Sequence, residues 1–310
     1  MQPQPSARIA VFAPSTHLSV TFEAGVGGDE MHVHPAGQGF WVARMLTVLG
    51  DTPVLCTPIG GETGVALRAL LGDLPTDGLL SCSLPNGSYV HDRRSGEREV
   101  VAQFPSGALD RHMEDDLVSL TLACGLGSAV VVVCGSNLDG NIDASVFQRV
   151  CANLQSSGTI VIADLAGAEL RSALAGGITL LKVSDAEMVD DGWAASDSTD
   201  DLLTGIESLR KSGASDVVVS CGERGALAAI GSEWLKVDTP SMNVVDHRGA
   251  GDSMTAALAY STSHGLGALE AVRLASAAAA LNVSRHGLAS GHAEAIWRLQ
   301  PLVEVTPIAP

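Results

Sequence analysis

The chain has 310 residues, 46% of them hydrophobic but only 4% aromatic, and a formal charge of −17. That charge argues against nucleic acid or an anionic membrane as a partner, since both depend on clustered Lys and Arg. The length suits one large α/β domain or a domain with a small appendage, and Ala, Val, Leu and Gly must fill its interior, as in helices packed closely on a parallel sheet.

Met1 to Ser6 and the residues after Val305 read as short tails. The first apolar run of strand length is Arg8 to Phe12. Leu18 to His34 alternates polar and apolar residues around turn formers, which predicts antiparallel strands rather than a helix. Phe40 to Leu49 has helical spacing and Pro53 to Cys56 is again a strand-length run. Ser88 to Phe104 repeats the strand-like alternation, with Val90-His91-Asp92-Arg93-Arg94-Ser95-Gly96-Glu97-Arg98 inside it. Apolar runs then follow at Ala129 to Cys134, Thr159 to Ala163, Ile178 to Val183 and Asp216 to Ser220, separated by amphipathic stretches such as Asp143 to Leu154 and Asp200 to Lys211. This alternation predicts right-handed β-α-β units and a mostly parallel sheet covered on both faces, with ligands bound beyond the carboxyl ends of the strands. Ala226 to Ile230 and Glu233 to Val237 flank Gly231-Ser232 as a hairpin, and after Gly251 the chain reads as nearly all helical. The two segments that break the alternation suit a small sheet that covers the cleft or pairs with another subunit, although two ordinary surface hairpins would give the same pattern.

Cys56, Cys82, Cys124, Cys134, Cys151 and Cys221 form no C-x-x-C pair and several lie in or beside apolar runs, which suits buried free thiols in a reducing compartment. No charged segment followed by a long apolar stretch opens the sequence, and no run approaches the roughly 18 apolar residues of a membrane span, so a cytoplasmic protein is expected.

Asn243 to Met254 reads Asn-Val-Val-Asp-His-Arg-Gly-Ala-Gly-Asp-Ser-Met. The apolar Val244-Val245 pair precedes the glycines and Met254, Ala257 and Leu258 follow at helical spacing, so the turn is expected at a strand-to-helix junction. Unpaired amides at such a helix start, with the positive end of the helix dipole, can hold phosphate oxygens. Glycines permit the close approach, and the first-turn carboxylate of Asp252 can accept the proton of an attacking hydroxyl. A Gly-rich turn followed by Asp also serves simply as a helix start with a favourable charge.

The order of motifs resembles the PfkB (ribokinase-like) carbohydrate kinases, closest to the 1-phosphofructokinase and tagatose-6-phosphate kinase branch. His34-Pro35-Ala36-Gly37-Gln38-Gly39-Phe40-Trp41-Val42-Ala43-Arg44 stands where the family has its sugar-contacting Gly-rich segment. Lys182-Val183-Ser184-Asp185-Ala186-Glu187 stands for Lys-Pro-Asn-x-x-Glu, and Ser220-Cys221-Gly222 with Gly225-Ala226-Leu227 for the turn near the nucleotide. The Gly249-Ala250-Gly251-Asp252 signature is intact. The resemblance implies a ribokinase-like three-layer α/β/α sandwich with a mostly parallel central sheet, forming a single kinase domain over residues 1–310 with lid strands at about 18–34 and 88–104. It implies ATP and Mg2+ as cofactors, a sugar or sugar phosphate as acceptor, and a homodimer through the lid strands. Asp252 is then the base, Gly249, Ala250 and Gly251 the anion hole, and Glu187 a magnesium ligand acting through water. Lys182, Ser184, Ser220, Gly222, Gly225 and Asn282 are the implied nucleotide contacts, although Lys182 also reads as a solvated strand end and Asn282 as an exposed helix residue.

Departures concentrate on the acceptor side. Ala13-Pro14-Ser15-Thr16-His17 replaces Asn-Pro-x-x-Asp, Gln38 replaces a Lys, Trp41 replaces an Asn, and Asn86-Gly87-Ser88 aligns with Arg-x-Asn. Losing a Lys and an Arg removes two charge-assisted partners for a phosphate, each worth roughly 1.5–3 kcal/mol. His17, Gly37, Gln38, Trp41 and Arg94 are the expected acceptor contacts; Arg93, Arg98 and Arg44 are further substitutes, or charged surface. Ser184 replaces the Asn of the Lys-Pro-Asn motif, which weakens the expected magnesium-water network. Arg248, immediately before the glycines, is expected to neutralise the transferring phosphoryl or bind the acceptor. The altered acceptor residues leave open a kinase of a non-phosphorylated sugar or nucleoside, or a non-catalytic sensor of the same fold. No Gly-x-Gly-x-x-Gly follows the first strand, which disfavours a dinucleotide-binding oxidoreductase.

Overall fold

The structure is a computed structural model describing residues 9–136 and 140–309, so the expected tail at Met1 to Ser6 lies outside the described residues. The chain begins with β1 (Ile9–Phe12), leaves the main sheet through the hairpin β2 (His17–Gly25) and β3 (Gly28–Ala36), and returns along α1 (Gln38–Val48) to β4 (Val54–Gly60). After α2 (Gly61–Leu70) and β5 (Leu79–Cys82) a second excursion forms β6 (Ser88–Asp92) and β7 (Glu99–Phe104). Strands and helices then alternate through α3 (Arg111–Gly125), β8 (Val130–Cys134), α4 (Ser145–Ser156), β9 (Ile160–Asp164), α5 (Gly167–Gly176), β10 (Ile178–Ser184), α6 (Asp185–Asp190), α7 (Thr199–Ser212) and β11 (Ala214–Ser220). The hairpin β12 (Ala226–Ile230) and β13 (Glu233–Asp238) precedes α8 (Ala250–Ser263), α9 (Ala268–Val283), α10 (Ala293–Leu299) and β14 (Glu304–Pro307).

A ten-stranded sheet runs β14-β13-β12-β11-β10-β9-β8-β1-β4-β5, parallel from β5 through β11 and antiparallel at the added β12, β13 and β14. Successive residues of a strand face opposite sides, so Ile9 and Val11 join one core with α1, α8 and α9 while Ala10 and Phe12 join the other with α3, α4, α5 and α7. Both faces are buried, which is why the central strands are continuous apolar runs such as Val130-Val131-Val132-Val133. The scarcity of aromatics is answered by alanine: Ala256, Ala257 and Ala259 of α8 and Ala275, Ala277 and Ala278 of α9 are fully buried, and such small side chains let the helices pack closely.

The smaller sheet has the order β3-β2-β6-β7. Each excursion is an antiparallel hairpin as expected, but β2 and β6 join them in parallel. Both strands depart from the same edge of the main sheet and so run in the same direction. Asn86 fastens this departure point: its Nδ2 donates to Thr16 O (3.0 Å) and Pro58 O (2.9 Å), and its Oδ1 accepts from Gly60 N at 2.9 Å.

Two expectations are corrected. The residues from Glu304 to Pro307 form an edge strand paired with β13, Val237 opposite Val305, rather than a tail in an all-helical C-terminal part. A short strand containing proline, whose partner lies far away in sequence, carries little local signal. Of the cysteines, which are all free, Cys82 and Cys124 are only half-buried. None of the helices among the described residues is long and apolar enough to cross a membrane.

Candidate active site

Three neighbouring parallel strands place their carboxyl ends under the start of α8. Lys182 of β10 is in register with Asp164, the last residue of β9, which in turn is in register with Cys134 of β8. Both charged residues are almost fully buried. Lys182 Nζ lies 3.3 Å from Asp164 Oδ1, and Thr255 Oγ1 of α8 donates to Asp164 Oδ2 at 2.6 Å. Burial works against the Lys182 ammonium, but Asp164, Glu187 and Asp252 together hold its pKa above the ordinary value.

Gly249 caps α8 at φ +73°, a left-handed conformation, and no side chain caps the helix start. Its first-turn amides are therefore left without a side-chain partner beside Lys182. A Cβ on Gly251 would stand 2.6 Å from Lys182 Nζ, so glycine here admits a protein cation against the turn. Asp252 follows in the first turn, and its pKa is pushed up to about 7, first by removal from water and then by the Asp164 carboxylate; Lys182 lowers it and Glu187 raises it.

Two cavities meet at this turn. The first, about 730 Å³, is bordered by Gly249 and Asp252 at its base, by Gly37, Gln38 and Trp41 on one flank, and by small-sheet residues including Thr21, His34, His91, Arg93 and Arg98 above. The second, about 600 Å³, is bordered by Ala250 and Gly251, by Lys182, Ser184, Ser220, Gly222 and Gly225, and by an apolar wall containing Met242, Val244, Ala279 and Val283. Gly225, at φ +84°, is needed where it is, because a Cβ would approach Val237 O to 1.9 Å.

The sequence-derived candidates divide accordingly. Gly37 (φ +111°) turns the chain from β3 into α1, Gln38 Oε1 accepts from Gly135 N at 2.8 Å, and Trp41 reaches the cavity although its side chain is mostly buried. Arg248 also borders the first cavity and donates through Nε to Asp246 Oδ1 at 3.2 Å. Arg93 donates to Asp246 Oδ2 at 3.2 Å, so one buried carboxylate ties the small sheet to the turn.

Four candidates lie elsewhere. His17 is buried and does not border the first cavity; it is stacked on Tyr89 at 5.0 Å and packed where a Cβ on Gly87 would be 2.4 Å away. Arg94 points outward, held by Asp92 (2.6 Å) and Asp29 (2.7 Å); its neighbours Arg93 and Arg98 border the cavity instead. Asn282 is neither exposed nor on a cavity wall. Its Nδ2 donates to Arg248 O at 2.5 Å and its Oδ1 accepts from Ala289 N at 2.9 Å, so it braces the loop behind the turn. Glu187 borders neither cavity; its Oε2 accepts from Ser184 N at 2.7 Å in a capping box that starts α6.

Asp164 and Asp246 went unremarked in the sequence. Asp164 had a usable signal, a lone carboxylate ending the apolar run Ile160-Val161-Ile162-Ala163 at the edge where ligands bind. Asp246 had none that separates it from any loop aspartate.

The chain matches the profile described as pfkB family carbohydrate kinase over residues 9–295. It is similar to the ATP-dependent 6-phosphofructokinase isozyme 2 of Mycobacterium tuberculosis, with 30% identity over 267 residues that cover 85% of this chain and 78% of that protein. The 1-phosphofructokinase of Haemophilus influenzae is 28% identical over 286 residues, covering 90% of each. Among solved structures, phosphofructokinase-2 from Escherichia coli in complex with potassium superposes with a TM-score of 0.84 at 25% identity, over 96% of this chain and 99% of that one. Arabidopsis thaliana ribokinase complexed with ribose and ATP shares the fold, with a TM-score of 0.76 at 21% identity over 95% of this chain and 99% of that one.

Proposed function

This chain belongs to the pfkB family of carbohydrate kinases, and we propose that it transfers the terminal phosphoryl group of ATP to a hydroxyl of a sugar or sugar phosphate, with Asp252 as the base. The observation that carries this reading is the position of the Gly249–Asp252 turn as the common wall of two cavities: Asp252 borders one, and Ala250 with Gly251 borders the other. An acceptor in the first cavity and a nucleotide in the second meet at the first turn of α8.

In this reading the acceptor hydroxyl gives its proton to Asp252 as its oxygen attacks the phosphorus, and ADP leaves along the second cavity. A base with a pKa of about 7 is well matched to work near neutral pH. The uncapped amides at the start of α8, with Lys182 beneath them, offset charge on the transferring group, and Arg248 does so from the acceptor side. The transition state of such transfers is loose, so positioning and charge neutralisation are the protein's main tasks. The small sheet borders the first cavity, and in this reading a bound acceptor beneath it would be partly shielded from water.

Among the described residues no group of three or more potential metal ligands converges, so the case for magnesium rests on the charge around the turn and on an ion that keeps most of its waters. Three carboxylates, Asp164, Glu187 and Asp252, act on the single Lys182 ammonium, which leaves negative charge for a cation to offset. Glu187 is engaged with Ser184 and borders neither cavity, so in this reading it would act on the ion only through space or through a bound water. A bound Mg2+ would supply charge neutralisation for the transferring group. A homodimer through the small sheet is supported by the exposure of Val100, Val101 and Phe104 on β7.

The test is ADP formation from Mg·ATP in the presence of a panel of hexoses, pentoses and their phosphates, with wild type beside Asp252→Asn. Acceptor-dependent turnover that falls about 10²–10⁴-fold in the variant is expected. Near-normal turnover of Asp252→Asn excludes it as the base.

A further inference from the structure

The first cavity sets four arginines against three carboxylates, Glu23, Asp246 and Asp252, on a chain whose formal charge is −17. Arg44, Arg93, Arg98 and Arg248 all border it. Arg93 and Arg248 share the Asp246 carboxylate, and Arg93 also pairs with Glu23 at 3.5 Å. Among the described residues no carboxylate forms an ion pair with Arg44 or Arg98. Their surroundings hold them in place without neutralising them. Arg44 Cζ lies over the Trp41 ring, 5.7 Å from its centre, and the His34 ring stands 5.7 Å from the same indole. Arg98 Nη2 lies 2.5 Å from His91 Nε2.

The two histidines fit an anion site in its empty form. Burial, then Arg98, Arg248 and Arg93, push the His91 pKa down to about 4, so at neutral pH its ring accepts a hydrogen bond from Arg98 without adding charge. Burial and then Arg44 lower that of His34 as well, with Arg98 among the further causes, so His34 lies in the field of both guanidiniums. Burial, followed by Arg248, depresses the guanidinium of Arg98 itself. Packing mutually repelling guanidiniums around one space costs stability, and an anion entering that space relieves the cost.

We propose that Arg44 and Arg98 hold an anionic group of the acceptor, a phosphate or carboxylate, at the small-sheet end of the cavity while its hydroxyl lies at Asp252. This rests on the kinase reading and deepens it. The Lys and Arg that grip a sugar phosphate in the resembling branch are Gln38 and Asn86 here, and both are engaged with backbone groups: Gln38 with Gly135, Asn86 with Gly60, Thr16 and Pro58. The charge has moved to α1 and to the turn after β6, and Trp41 and His34 border the space between with aromatic faces. An acceptor with one anionic end and an uncharged face toward the indole matches this lining.

Equilibrium binding to the full chain, measured by calorimetry without nucleotide, separates this proposal from the catalytic one because it reads no turnover. The probes are fructose 6-phosphate, fructose 1-phosphate, fructose and gluconate. At least one phosphate or the carboxylate is expected to bind tenfold or more tightly than fructose, and more weakly as salt rises. Preference for gluconate assigns the site to a carboxylate, and preference for a hexose phosphate assigns it to a phosphate. Arg98→Gln and Arg44→Gln are each expected to weaken the preferred probe about ten- to hundredfold, the loss of one charge-assisted hydrogen bond, with ATP binding unchanged as the control for folding. Fructose binding as tightly as the anions, no anionic probe binding at millimolar concentration, or unchanged affinity in both variants would overturn the proposal, whatever Asp252→Asn does to turnover.

Discussion

Lys182 and Asp164 form a buried ion pair at matched positions on adjacent parallel strands, with the ammonium 3.3 Å from the carboxylate and directly beneath Gly251. The pair sets the electrostatics of the turn. Asp164 and Lys182 act on Asp252 in opposite senses, and with burial added the outcome is a carboxyl that titrates at about 7. A base tuned in this way implies measurable pH behaviour.

The acceptor kcat/KM is expected to rise with pH through about 7 and level off above it, because only ionised Asp252 accepts a proton. Asp164→Asn removes the neighbouring negative charge that raises this pKa, so the acid limb moves to lower pH. A pH–rate profile of both proteins decides the matter, and an unmoved limb would mean that another group titrates.

Stability should respond in the opposite direction. The folded chain binds the Asp252 proton more tightly than the unfolded chain, about 7 against 3.8, so the contribution is fully present below pH 3.8 and is lost as pH rises through 7. Asp252→Asn escapes that loss. Its melting temperature is expected to exceed that of wild type at pH 8, with the gap closing toward pH 4, as read by calorimetric scans at several pH values.

Asn282→Ala leaves the Arg248 carbonyl and the Ala289 amide without their partner. A stability loss of about 1–3 kcal/mol is expected, with a raised acceptor KM, because the loop behind the turn loosens. The KM for ATP should hold, since Asn282 does not border the second cavity. A selective rise in the ATP KM would instead favour a direct nucleotide contact.

Gly249→Ala forces a side chain into a left-handed conformation and should cost roughly 1–2 kcal/mol. Gly251→Ala drives a methyl group against the Lys182 ammonium, which Asp164 holds in place. Its main effect is expected on kcat, about 10²-fold for a displacement on the order of 1 Å. Denaturant titration and steady-state kinetics on both variants distinguish the two mechanisms.

Arg94→Ala should leave the acceptor KM unchanged, because Asp92 and Asp29 hold that side chain on the outer surface. A KM shift equal to that of Arg98→Gln would show that Arg94 swings inward on binding.

Local pattern was enough to read the layered fold and the turn at Gly249. Strands buried on both faces must be continuous apolar runs, and a glycine-lined helix start followed by an acid is a contiguous feature whose chemistry depends on backbone geometry. Contacts between distant segments were not readable in this way. Whether Arg93, Arg94 or Arg98 faces the cavity depends on the competing carboxylates Asp92, Asp29 and Asp246, two of them far along the chain. His17 and Asn282 became packing and bracing residues because of what the fold set beside them, Tyr89 for one and the Arg248 carbonyl for the other. Asp164 gained its place in the site only when β9 and β10 aligned it with Lys182. Sequence determined the backbone periodicity and the small-residue turn, since both depend on neighbours in the chain. Tertiary structure decided which charges are neutralised and which face the cavity, because Coulombic pairing and burial act through space.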